Sequence, residues 1–161
     1  MDYKNGIGSG KIRIMTILRI LIGWHFLYEG LVKLFSPHWT AKGYLLSSQG
    51  FLSGLFNSMA GNDGVVQVID FLNVWGLVFI GLGLFLGLLT RVSCFAGAGL
   101  LLLYYLSHPP FAGLEYAFGQ EGSYLIVDKN LIELVALLAI SMFPTGQYLG
   151  LDILIFRSKN R

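Results

Sequence analysis

Two uncharged stretches, Phe71 to Thr90 and Val92 to Leu114, stand almost back to back with only Arg91 between them. A helix needs about 20 mostly apolar residues to cross a bilayer, and backbone inside lipid must satisfy its own hydrogen bonds. Both stretches therefore predict membrane-spanning helices. The short turn Leu88-Leu89-Thr90-Arg91 makes them an antiparallel pair. Composition agrees: 55% of the 161 residues are hydrophobic and 12% charged, with mean hydropathy +0.66, where soluble chains are about 25% charged.

Two further spans follow from the same criterion. One runs from about Ile12 to Phe35 and carries embedded charges; the other runs from about Leu131 to Leu149, interrupted only by Glu133. The reading is an all-α, integral membrane four-helix bundle in one domain, with spans of about 12–35, 71–90, 92–108 and 131–149. The basic N-terminus leads into its apolar run as a secretory leader would. That run holds Arg19, His25 and Glu29 and is followed by no small-residue cleavage pattern, so it is expected to stay as the first span.

Lys/Arg bias orients the spans, because positively charged short loops stay cytoplasmic. Lys4, Lys11 and Arg13 precede span one, Arg91 marks the second turn, and Arg157, Lys159 and Arg161 follow span four; the opposite side has Lys42 against Asp63, Glu115 and Glu121. Both termini are expected in the cytoplasm, and the chain in a bacterial inner membrane.

Within the first outer loop, Tyr44, Leu45, Phe51, Leu52, Leu55, Phe56 and Met59 recur at helical spacing opposite Ser47, Gln49, Ser53 and Asn57. This predicts one amphipathic helix on the outer surface, ending at Gly61-Asn62-Asp63-Gly64. The second outer loop is aromatic and glycine-rich, with an extended piece over Tyr124 to Val127. Gly83 and Gly87 on span two, facing Ser93, Gly97 and Ala98, suit close helix approach in lipid.

Several function classes drop out. The net charge of +2, with no basic stripe interleaved with aromatics, gives nucleic acid no surface. One cysteine, Cys94, excludes an intrachain disulfide, a CxxC pair and a cysteine zinc site. No metal-ligand spacing occurs, and GLGLFLG lies mid-span with no strand before it, so it is a packing motif rather than a dinucleotide loop.

What remains is the polar content of the spans. At about 100° per residue, Arg19, His25, Glu29 and Lys33 share roughly one third of the circumference of the first helix. A charge at mid-bilayer costs about 2.5 to 3.5 kcal/mol on insertion scales and normally faces a bundle interior. With the orientation above, Asp70 and Asn73 start span two at the outer level, Tyr104 and His108 end span three, and Lys129, Asn130 and Glu133 open span four. These groups predict a polar pocket at the outer side, in which Glu29 and Glu133 exchange protons and Arg19, His25, Lys33, Asp70, Asn73, Tyr104, His108, Lys129 and Asn130 bind substrate. Glu29 and Lys33 at i and i+4 are equally able to neutralise each other as a structural pair.

The order LRILIGWHFLYEGLVKL, then GLLTR, then VDKNLIELVALL resembles the DoxX family of bacterial four-helix membrane proteins, which includes the DoxD subunit of thiosulfate:quinone oxidoreductase. By position, Arg19, Glu29, Gly30 and Lys33 match the family's first-span pattern, and Asn130 and Glu133 its fourth. The resemblance implies a subunit associated with quinone-linked redox chemistry on thiosulfate or another small sulfur compound, with quinone as its cofactor and a second redox subunit as its partner. The chain carries neither a second domain like that enzyme's partner subunit nor a cysteine pair. The alternative is a non-enzymatic scaffold or assembly factor for a membrane or exported complex. A proton-coupled transporter ranks third, because spans two and three are apolar from Trp75 to Leu103 apart from Thr90, Arg91 and Ser93.

Overall fold

The computed structural model describes residues 9–111 and 125–157. The expected extended piece at 124–127 and the charges Lys4, Glu115, Glu121, Lys159 and Arg161 lie wholly or partly outside these residues. The described chain is helical: α1 (Ser9–Leu34), α2 (Lys42–Leu46), α3 (Ser53–Ala60), α4 (Asp63–Leu86), α5 (Thr90–Ser107), α6 (Lys129–Ser141), α7 (Thr145–Tyr148) and α8 (Asp152–Arg157). Of these, α1, α4 and α5 are long and apolar enough to cross a membrane. Trp24 and Tyr28 on α1 and Phe71, Trp75 and Phe79 on α4 face outward and are at least one-third exposed, an apolar surface that suits lipid and not water.

The second long helix begins eight residues before the expected Phe71. The Asn62 side chain caps it, accepting from the N–H groups of Gly64 at 3.0 Å and Val65 at 3.3 Å. Asp70 and Asn73 therefore sit two to three turns into α4 rather than at its start. α1 lies along α4 so closely that a Cβ on Gly81 would collide with the backbone of Leu27. Ile22, Phe26, Leu77, Ile80, Leu84, Cys94, Ala98, Leu101, Leu137 and Ile140 form the central core, with contributions from α1, α4, α5 and α6.

The expected single amphipathic helix of the first loop is two helices. Gly50 adopts φ 88°, a left-handed conformation that a continuing helix cannot contain, and it separates α2 from α3. Ala41, Leu45, Phe56 and Ala60 make a small second core beneath them. Gly83 meets Ser93 on α5 as the GxxxG reading requires, whereas Gly87 ends α4 at φ 68°.

The stretch expected to form one helix over 131–149 is broken. α6 stops at Ser141, and Pro144, which lacks an N–H and disfavours helical Phe143, separates it from α7. The segment still runs the length of the bundle. Asp128 to Asn130 lie beside the C-terminal end of α1 in a shared cavity, and Asp152 bonds to Leu89 and Thr90 at the α4–α5 turn.

Candidate functional site

A cavity of about 730 Å³ opens at the end of the bundle where α1 finishes, within the volume range of small-molecule sites. His25, Glu29 and Lys33 occupy successive turns of α1 and place one polar group per turn along its wall. Phe26, Leu77 and Leu101 supply apolar lining.

The Lys33 ammonium is largely buried, with its side chain 17% exposed, and it has partners on α1, α4, α5 and the loop after α1. It donates to Asn73 Oδ1 at 3.2 Å, lies 4.0 Å from Glu29 Oε2, and stands 5.1 Å from the Trp39 ring centroid and 5.7 Å from that of Tyr104. Aromatic faces attract a desolvated cation through their quadrupoles. Asn73 passes the interaction on, its amide Nδ2 donating to the Tyr104 hydroxyl at 2.6 Å. Lys33, Asn73 and Tyr104 thus form a chain across three helices.

On the α6 side, His25 Nδ1 and Glu133 Oε1 are 2.6 Å apart. His25 lines the cavity; Glu133 stands behind it, and its Oε2 is buried without a hydrogen-bond partner among the described residues. His108, 6% exposed, has Nε2 3.0 Å from Ser47 Oγ and Nδ1 3.0 Å from Ser107 Oγ, and its ring stacks on Tyr44 at 3.9 Å. His108 lines the cavity, and with both nitrogens occupied it also braces α5 against Ser47 at the end of α2, in the α2–α3 layer that roofs the cavity. Lys129 and Asn130 line the cavity at the start of α6.

Two of the expected site residues lie elsewhere. Asp70 accepts from the Ala41 N–H at 2.7 Å and ties the roof to α4. Arg19 is at the far end, 1% exposed, with Nη2 donating to the Leu149 carbonyl at 2.8 Å and the guanidinium against Gly87. It shares a helical face with Lys33, but the bundle surrounds that face with different partners at each depth.

Other wall residues carried no expectation of a site role. His38, Trp39 and Thr40 come from the loop after α1, Tyr44 from α2, and Asp128 from the residue before α6. Asp128 Oδ1 caps α6 by accepting from Leu131 N–H at 2.8 Å, and Oδ2 accepts from Asn130 Nδ2 at 3.0 Å. An aspartate just before an apolar helical run is an N-cap signal in the sequence; the loop aromatics carry no such signal. Among the described residues, no three His, Cys, Asp or Glu side chains gather where a metal could bind.

The DoxX family model matches residues 14–109, more than half of the chain. This chain belongs to the DoxX family. The matched part holds the Lys33–Asn73–Tyr104 chain of this DoxX protein, whereas Asp128, Lys129, Asn130 and Glu133 lie beyond it. No curated protein and no solved structure matches.

Proposed function

We propose that the cavity is the headgroup site of a membrane quinone, and that this DoxX protein is the membrane subunit of a quinone-linked oxidation of a small sulfur anion such as thiosulfate. The observation that carries the reading is the Lys33–Asn73–Tyr104 chain set beside the apolar side chains of Phe26, Leu77 and Leu101. A quinone ring presents two acceptor oxygens on an apolar frame, and this wall offers an ammonium, a phenol and aromatic faces. When bound, the couple supplies two-electron, two-proton chemistry. Lys33 and Lys129 bring positive charge to the same cavity, as a sulfur anion requires, and the electron donor sits on a second subunit.

Four crossings, with both termini cytoplasmic in a bacterial inner membrane, complete the reading. Lys11, Arg13, Arg91 and Arg157 fall near the end of the bundle opposite the cavity, consistent with the positive-inside rule. Lipid extracts of the purified protein are expected to contain quinone, and a short-tailed benzoquinone to bind it. Absence of both would overturn the reading.

A scaffold role has one observation in its favour: Leu46, Phe51 and Leu55 of the roof are 55%, 75% and 50% exposed. A stoichiometric protein cross-linked to Phe51-region residues, together with no quinone binding, would favour that reading.

A further inference from the structure

We propose that His25 is the group through which this cavity exchanges a proton with its ligand, and that Glu133 is the residue that positions it. The inference rests on the quinone reading above and assigns the proton to the imidazole rather than to either carboxylate.

The geometry separates the three candidates. Glu29 is the carboxylate beside the Lys33 ammonium, so a ligand proton delivered to it would leave that buried cation without its counter-charge. Glu133 does not line the cavity; His25 stands between. With Nδ1–H donating to Glu133 Oε1 at 2.6 Å, Nε2 is the ring atom left for the cavity, and the carboxylate fixes both tautomer and ring plane.

That arrangement makes Nε2 a two-way contact. Deprotonated, its lone pair accepts from a ligand hydroxyl; protonated, it donates to a ligand carbonyl, with Glu133 balancing the imidazolium. In the exchange the ligand O–H bond breaks, its electron pair stays on oxygen and an N–H bond forms at Nε2; the reverse step returns the proton, and no electron moves. The charges acting on His25 are Glu133 and Lys129 of α6 and Glu29 of α1; the Phe26 ring centroid lies 6.2 Å away. Of these charges, Glu29 and Lys129 also line the cavity, but Glu29 is engaged as the counter-charge of Lys33 and the Lys129 ammonium is a donor only.

The consequence is a proton exchange whose sign depends on the ligand. Quinone, which needs a donor, binds the protonated ring and takes up a proton; quinol, which needs an acceptor, binds the neutral ring and releases one. Calorimetry of the full chain in nanodiscs, with a short-tailed benzoquinone and its quinol in buffers of different ionisation enthalpy, reads both quantities. The wild type is expected to show opposite signs. His25→Gln is expected to abolish both exchanges and weaken binding by about tenfold, the loss of one hydrogen bond.

Glu133→Gln keeps an acceptor oxygen facing Nδ1–H and removes only the counter-charge. It is expected to weaken quinone and leave quinol unchanged, a split that a purely structural clamp between α1 and α6 would not produce. Exchange that persists in His25→Gln, or that is absent from a wild type which binds both ligands, overturns this inference and leaves the quinone site standing. A wild type that binds neither ligand overturns the quinone reading itself, and this inference with it.

Discussion

Asp152 caps the helix that starts at Thr90: its Oδ2 accepts from the Thr90 N–H at 3.1 Å, and its Oδ1 from the Leu89 N–H at 2.7 Å. α5 has no local side-chain cap, because Leu89, in the cap position, is apolar and left-handed at φ 49°. A residue from the far end of the chain supplies what the turn lacks. Leu151 and Asp152 also donate their N–H groups to Leu86 and Gly87 at 3.1 and 2.8 Å, and Arg19 holds Leu149 from α1.

Removing this cap destabilises the bundle. Asp152→Ala is expected to cost about 1 to 2 kcal/mol, as loss of an N-cap does, and Asp152→Asn less, because one acceptor oxygen survives. Thermal unfolding in detergent orders the three proteins, and equal midpoints would refute the cap's importance.

Arg19 and Asp152 act on each other as opposite charges in a buried setting. They are not a contact ion pair, but removing one of two buried opposite charges leaves the other less compensated. Arg19→Met and Asp152→Asn are therefore each destabilising, and the double variant is less destabilised than their sum. A double-mutant cycle checks this, with simple additivity as the contrary result.

Substitution at the cavity separates charge from shape. Tyr104→Phe keeps the ring face toward Lys33 and loses the hydroxyl, so benzoquinone affinity falls by about tenfold or less. Lys33→Met removes the ammonium and weakens binding of both quinone and sulfur anions. Fluorescence titration of the purified protein distinguishes the two, and unchanged affinity in Lys33→Met would contradict the site.

Gly81 tests the α1–α4 contact. Even alanine there meets the Leu27 backbone, which cannot move without parting two helices. Gly81→Ala is expected to destabilise by about 1 to 3 kcal/mol, the range for overpacking, in the same unfolding assay.

Membrane orientation is open to labelling. In a Cys94→Ser background, a cysteine replacing Ser53 is expected to react with an impermeant maleimide in intact cells, and one replacing Arg91 only after permeabilisation. The reverse pattern would invert the topology.

The long helices were legible because lipid imposes a one-dimensional rule: uncharged length alone identifies α4 and α5. Their ends were less so, since the Asn62 cap and the left-handed Gly87 are local details inside apolar text. Lys33, Asn73 and Tyr104 could be placed at one level because depth follows from residue count along a helix. The same count puts Arg19 toward the other end of α1; its grouping with the pocket rested on a shared face, which says nothing of what each turn meets. Trp39 and Tyr44 depend on how the first loop folds back over the bundle, and the separation of α2 from α3 at Gly50 required a backbone angle that composition does not reveal.

The clasp at Asp152 also dictates an order of assembly. Thr90 waits for a partner 62 residues downstream, and Arg19 for one 130 residues downstream. The α4–α5 hairpin therefore leaves the ribosome with its second helix uncapped, and α1 enters the bilayer with a guanidinium awaiting its carbonyl. Only when synthesis has passed Asp152 can both be satisfied, so a later-made segment locks earlier ones.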